Sequence, residues 1–256
     1  MSFASSVRAF PMVEPTGTGR SFTARRRVRL GDATPNGRLR LDSLARYLQD
    51  VANDDSRNAD WSDPHWWVVR RTVIDVRTFP VYLQEIDLTT WCGGLGSHWA
   101  ERRTRITSLD GEVLADGAAL WVHVDEATLA PSRVPGDIAV DLAQSSGNRE
   151  VGARLLLKPK EFDSAGAETR PWPLRASDYD AVGHMNNAAY WEVLEEHMAP
   201  HVQSRSNLRA VMEHNVQVEP GASLDQVFSV SDGVSVQMTA NGTVHAGAWV
   251  GNIEPA

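Results

Sequence analysis

The segment Ser177-Asp-Tyr-Asp-Ala-Val-Gly-His-Met-Asn-Asn-Ala-Ala-Tyr-Trp191 packs two carboxylates and an imidazole into one short turn. Asp180 and His184 are close enough for the carboxylate to orient a water, activate it, or hold the imidazole in one tautomer. Imidazole changes charge nearest neutral pH, so His184 is a candidate donor, base or water-positioning group. Asn186 and Asn187 precede an apolar run, and either can cap a helix there. The unpaired N–H groups and positive dipole end of that helix point back into the turn, where they stabilise a developing oxyanion. The chemistry this suits is attack of water on an activated carbonyl. Asp, Asn, His and Gly also populate turns for conformational reasons alone, and Asp178 and Asn187 fit turn and cap roles.

The elements that must position this turn follow from periodicity. Ser21–Leu30 alternates Phe22, Ala24, Val28 and Leu30 against Thr23, Arg25, Arg27 and Arg29, the period of a half-buried strand. A turn at Gly31–Gly37 follows, then Leu41, Leu44, Ala45, Leu48 and Val51 at helical spacing, with Asp42 as the expected cap. Four strands are expected at Trp66–Arg77, Gln84–Cys92, His98–Ile106 and Val113–Val124. A hairpin turn at Ser108-Leu-Asp110-Gly111 separates the last two. After a Pro-, Gly- and Ser-rich stretch the order recurs: strand Glu168–Leu174, polar turn Arg175–Gly183, helix Asn186–His201. Strands are then expected at Ala210–Val218, Gln226–Val230, Ser235–Thr239 and Thr243–Val250.

This is a duplication rather than a solenoid. One offset aligns Asp32 with Asp178, Gly37 with Gly183, Arg38 with His184 and Leu48 with Leu194. Polar chemistry does not follow the repeat, since Thr34 and Arg38 stand opposite Asp180 and His184. The expected division is a tail at 1–20, a first repeat at 21–125, a connector at 126–167 and a second, reactive repeat at 168–256.

Composition bounds the function. The 256 residues are 42% hydrophobic and 23% charged, ordinary for a globular chain. A net charge of −8 argues against nucleic-acid binding. Arg25-Arg26-Arg27 reads as a charged strand edge more readily than as a contact for an acidic carrier. Cys92 is the single cysteine, which excludes an internal disulfide; with scattered histidines it offers no metal-ligand spacing. The start lacks a signal-peptide core, and no run nears the ~18 apolar residues of a span. The expectation is a soluble cytoplasmic protein with no cofactor, no metal, no nucleic acid and no membrane contact. Nine tryptophans suit a wide core or an apolar pocket.

The segment DYDAVGHMNNAAYWEVLEE resembles the helix-leading motif of the acyl-ACP thioesterases, D-x-N-x-H followed by x-N-N and a helix. VLADGAALWVHVDEATLAPSRVP (Val113 to Pro135) resembles the segment closing that family's first repeat. RTVIDVRTFPVYLQEIDLTTW and WAERRTRITSLDGEVLA match its preceding strands in order and spacing. The resemblance runs from about Arg25 to Val250. It implies an α+β double hot-dog: two strand–helix–antiparallel-sheet repeats joined in one continuous sheet. It places Asp180 and His184 at the family's catalytic aspartate and histidine, and Val182 where the family has asparagine. Gln217 stands where plant members carry a catalytic glutamate, and Val218 where they often carry cysteine, so a cysteine nucleophile is not implied.

The activity implied is hydrolysis of fatty acyl-ACP or acyl-CoA by direct water attack, with oxyanion donors near Asn186 and Asn187. The acyl chain is implied to lie in the first repeat, with Leu44, Leu48, Val51, Trp66 and Trp67 as lining candidates. Each is a plausible core residue as well. An acyl-thioester substrate, an acyl carrier protein partner and a monomer or homodimer follow. Two alternatives stand beside this: a non-catalytic acyl-thioester binder, and a hot-dog hydratase or dehydratase. The latter's motif wants an aspartate five residues before the histidine, where this chain has Tyr179, and a proline that is absent.

Overall fold

The computed structural model describes residues 3–59, 61, 66–157, 162, 166–201 and 206–253. The chain folds into α1 (Phe3–Arg8), β1 (Ser21–Arg27), α2 (Leu41–Asn58), β2 (Trp67–Thr78), β3 (Glu85–Leu95), β4 (Trp99–Ser108) and β5 (Val113–His123). These are followed by α3 (Gly136–Ser145), β6 (Glu168–Trp172), α4 (Glu192–His201), β7 (Ser206–His214), β8 (Leu224–Ser231), β9 (Gly233–Ala240) and β10 (Thr243–Asn252). All strands join one ten-stranded sheet in the order β1-β3-β4-β5-β2-β7-β10-β9-β8-β6. Every pairing is antiparallel. This is the expected α+β double hot-dog.

The seam is β2 against β7, with Val73 opposite Val211 and Ile74 opposite Ala210. Side chains alternate across a strand, so the first pair faces one side of the sheet and the second the other. Ile74 and Ala210 join the core that encloses α2 and α4, with Leu41, Leu44, Leu48, Val51, Trp191, Leu194 and Met198. Val73 and Val211 face the opposite side, where Val7, Leu157 and Trp249 cover them. Burying each large aliphatic side chain contributes roughly 1.5–3 kcal/mol, so the alternation fixes which face each helix takes. Gly111 adopts φ +85° in the expected β4–β5 hairpin, and its N–H donates to Ser108 O at 3.0 Å.

The duplication is visible bond by bond. Thr34 N–H donates to Arg38 O at 2.8 Å, and Asp180 N–H to His184 O at 3.1 Å. Arg40 N–H donates to Asp32 O (2.9 Å), and Asn186 N–H to Asp178 O (2.8 Å). The Asp32 carboxylate accepts Arg29 N–H and that of Asp178 accepts Arg175 N–H. The bridges Ala33–Leu39 and Tyr179–Met185 complete two loops of one design.

Several local expectations are corrected. Asp42 is not the α2 cap: the cap position is Arg40, and Asp42 lies fully buried in the first turn, bound to the Arg40 guanidinium at 2.8 Å. The second helix begins later than Asn186. A 3-10 turn occupies Ala189–Trp191 before α4, because the Asn186 side chain takes Ala188 N–H (2.9 Å) in a competing turn. Strand β7 ends at His214, not Val218; the following loop reaches Pro220, which has no N–H to offer a ladder. The N-terminal stretch is a strap across the outer face of the sheet. Arg209 Nη1 donates to the carbonyls of Val7, Arg8 and Phe10, each at 2.8 Å. The connector carries α3, which packs Ile138 and Leu142 on Cys92 and Ala100. Arg25, Arg26 and Arg27 are each ion-paired, to Asp87, Asp54 and Glu85. No helix among the described residues is long and apolar enough to cross a membrane.

Candidate active site

The turn feeding α4 is braced from below. Asp178, buried, binds the Arg175 backbone and guanidinium at 2.8 and 2.9 Å, so its role is structural. Gly183, at φ +90°, closes the turn by donating to Asp180 O at 3.0 Å; that φ favours glycine. Asp180 Oδ1 accepts Val182 N–H and Oδ2 accepts the Asn186 side-chain amide, both at 3.0 Å. Asn186 thus clamps the carboxylate with Nδ2 and orders the start of the helix with Oδ1. Its own N–H is taken by Asp178 O, which removes it as an oxyanion donor. Among the described residues none accepts the N–H of Asn187.

Asp180, Val182 and Asn187 border a cleft of about 400 Å³. The opposite wall is α2, through Gln49, Asn53 and Ser56; β2 to β5 supply Trp67, Cys92, Glu101, Arg102 and Trp121, and α3 supplies Leu142. Beside it, between α2 and the sheet, lies a narrow extension of only about 30 Å³, lined by Ala45, Leu48, Val69, Gly117, Trp191 and His214. Gln49, Arg102, Trp121 and Asn187 line both parts. Gly117 lets Leu48 pack close against β5: a Cβ there would come within 2.8 Å of Leu48 Cδ1.

Electrostatics separate the candidates. Burial pushes the Cys92 thiol up to about 11, so it is a neutral wall rather than a nucleophile. Burial drives the His214 imidazole down to about 3, so it stays neutral. Its Nε2 and the indole N–H of Trp121 are shut off from solvent, and neither has a hydrogen-bond partner among the described residues.

Of the residues singled out in the sequence, Asp180, Asn187 and Trp67 meet at the cleft, and Leu48 lines its extension. His184 does not line it; its Nε2 lies 3.8 Å from Glu219 Oε1. Gln217 sits in the loop after β7 with its side chain exposed, and its carbonyl oxygen is 3.0 Å from His245 Nδ1. Leu44 and Val51 are core residues, and Trp66 is exposed and lines neither part of the cleft. Periodicity alone missed Gln49, Asn53, Arg102 and Trp121. One signal was present: Gln49, Asn53 and Ser56 form a polar stripe at i, i+4, i+7 beside the apolar face of α2. Among the described residues no group of three His, Cys, Asp or Glu side chains is arranged to hold a metal ion.

The family model of the acyl-ACP thioesterase N-terminal domain matches residues 19–142, and that of the C-terminal domain residues 163–248. An uncharacterized protein of Mycobacterium tuberculosis is 31% identical over 226 residues, covering 87% of this chain and 88% of the relative. A chloroplastic palmitoyl-acyl carrier protein thioesterase of Gossypium hirsutum is 24% identical over 214 residues, 75% of this chain but only 51% of the plant protein. In fold, the chain is similar to an acyl-ACP thioesterase from Bacteroides thetaiotaomicron (TM-score 0.73, 19% identity, 90% of this chain and 96% of that one). It is also similar to the 12:0-ACP thioesterase from Umbellularia californica (TM-score 0.71, 18% identity, 94% and 98%).

Proposed function

The chain belongs to the acyl-ACP thioesterase family, and on that premise we propose that it hydrolyses fatty acyl thioesters carried on acyl carrier protein by direct attack of water. The observation that carries this reading is the Asp180 carboxylate, clamped by Asn186 and Val182 on a cleft shared with the open N–H of Asn187.

Asp180 orients a water and draws off its proton as the oxygen adds to the thioester carbon. The carbonyl oxygen becomes an oxyanion at the Asn187 N–H, at the positive end of the 3-10 turn and α4. The tetrahedral intermediate collapses, the C–S bond breaks and the thiolate takes the proton, giving free fatty acid and carrier thiol. A thiolate leaves readily, so a carboxylate suffices as base and no covalent enzyme intermediate is needed. The acyl chain enters along the extension past Leu48 and Gly117, which is about 30 Å³ as it stands and widens to take the chain. Both repeats line the cleft, so one chain is the working unit in this reading.

The test is thiol release by the purified chain from saturated acyl-ACP and acyl-CoA of graded length, with an enoyl thioester beside them. Release from acyl-ACP supports the proposal; preference for the CoA series changes the carrier, and water addition to the enoyl substrate without release refutes hydrolysis. A second reading, an acyl-thioester binder, is favoured by Val182 in the asparagine position and by His184 lying against Glu219. Binding of acyl-ACP with no release at any length would establish it.

A further inference from the structure

The two loops of one design end in opposite states. In the first repeat, Leu41 N–H at the start of α2 donates to Glu195 Oε2 at 3.0 Å. The Arg38 guanidinium clasps the same carboxylate, with Nη1 to Oε2 at 3.1 Å. Glu195 is carried by α4, the helix of the other repeat. An anion therefore already rests on the leading amide of the silent copy, brought across from the opposing helix.

The offset that superposes the loops pairs Leu41 with Asn187, Arg38 with His184 and Glu195 with Gln49. Each partner changes character in the second copy. Asn187 N–H has no acceptor among the described residues, and the Gln49 carboxamide makes no hydrogen bond there. Both line the cleft and its extension, and Trp121, whose indole N–H is shielded and unpartnered, lines the same junction. Three N–H donors thus border one cleft from α2, β5 and the start of the second helix, where the silent copy has a carboxylate on its amide.

We propose that Gln49 is a substrate-contacting residue: its Nε2 and the N–H of Asn187 together hold the thioester carbonyl oxygen and the oxyanion that forms on it. A neutral amide at position 49 is what keeps this second copy from closing on itself as Glu195 closes the first. The inference rests on the hydrolytic reading above. It adds a donor from the first repeat to a reacting centre otherwise built by the second, and explains a polar stripe on α2 that packing does not require.

The test uses the full chain in the thiol-release assay with Gln49→Ala, Gln49→Glu and Asp180→Ala, each checked for an unchanged melting temperature and far-UV spectrum. Removing a preorganised oxyanion donor costs on the order of 10²–10³ in turnover, and Gln49 is one of two donors. The expected loss for Gln49→Ala is therefore at least about tenfold in kcat with KM changed less than threefold. Gln49→Glu should reproduce the silent copy. Its carboxylate takes the Asn187 N–H, turnover falls further at pH 8, and the ratio to wild type recovers as pH drops into the carboxylate range and the new side chain becomes neutral.

The ionisable groups sharing the cleft are Asp180 from the turn, Glu101 and Arg102 from β4 and Cys92 from β3, with His214 of β7 in the extension. All are common to wild type and variant, so the ratio isolates position 49. If one variant misfolds, the other still decides: a loss in kcat for Gln49→Ala, or the recovering ratio for Gln49→Glu, supports the assignment. Gln49 variants within twofold of wild type at every pH, beside an inactive Asp180→Ala, overturn the role of Gln49 and leave the hydrolytic reading standing. No release by wild type from any acyl thioester overturns both.

Discussion

Asn186 donates its side-chain amide to Asp180 at 3.0 Å while its own carbonyl side-chain oxygen holds the N–H of Ala188. The residue that orders the turn leading into the helix therefore also aims the carboxylate. Asp180→Ala is expected to lower thiol release by 10²–10⁴, the usual worth of a positioned general base. Asn186→Ala should lose about tenfold or more through a misdirected carboxylate. Among the described residues the Asp180 side chain hydrogen-bonds only within its own turn and to Asn186, so the melting temperature of Asp180→Ala should stay within a few degrees. Near-normal rates in Asp180→Ala would remove the residue from the mechanism.

Val182 is 63% exposed and borders the cleft two residues after Asp180. Its side chain can neither orient a water nor hold a carbonyl. Val182→Asn restores the family pattern D-x-N-x-H. A single transition-state hydrogen bond contributes about 1 kcal/mol, so kcat/KM should rise several-fold in the acyl-ACP assay. An unchanged or lower rate would mean that the asparagine role is filled elsewhere.

Gly117 and Leu48 set the bore of the extension. A methyl group at Gly117 would stand 2.8 Å from Leu48 Cδ1, so Gly117→Ala should shift preference toward shorter acyl chains. Leu48→Ala should shift it toward longer ones, at a stability cost of about 2–5 kcal/mol for a truncated buried leucine. Rates across a chain-length series check both, and unmoved optima would place the acyl chain elsewhere.

Glu213 of β7 is buried and accepts the N–H groups of Leu156 and Leu157. Burial pushes its carboxyl up to about 7 from an ordinary 4.5. Between these values the folded chain holds a proton that the unfolded chain has released. By linkage the unfolding free energy then falls as pH rises through that window. Denaturant melts at pH 5 and 7.5 should show this loss in wild type and a flatter dependence in Glu213→Gln. Equal slopes would show that other groups govern the pH response.

The fold was legible because its determinants are local. Alternation in β5 and helical spacing in α2 each state an element within a dozen residues or fewer, and the paired turns at Asp32 and Asp178 state the duplication. Where local rules compete, the reading slipped. Asp42 looked like a cap, yet Arg40 draws it into the buried first turn. Gln217 looked like a strand residue, yet β7 stops at His214.

The site was half legible for the same reason. Asp180 and Asn187 lie in one motif, but Gln49 reaches the cleft from a helix far away in sequence, through packing that no short window records. His184 fits the motif in position, while its neighbour in space is Glu219, set by the loop after β7.

The strap across the outer face bears on how this chain can be shortened. Phe10 lies over the guanidinium groups of Arg71 and Arg103, at 4.8 and 5.3 Å, and Arg103 donates to Pro11 O while Arg209 holds three further carbonyls. The family match starts at residue 19, beyond all of these contacts. A fragment trimmed to that boundary would strip the cover from three arginines and from the Val73–Val211–Trp249 patch, presenting an adhesive, partly charged sheet surface to other molecules. Expression trials that begin there should yield aggregates rather than a smaller working enzyme.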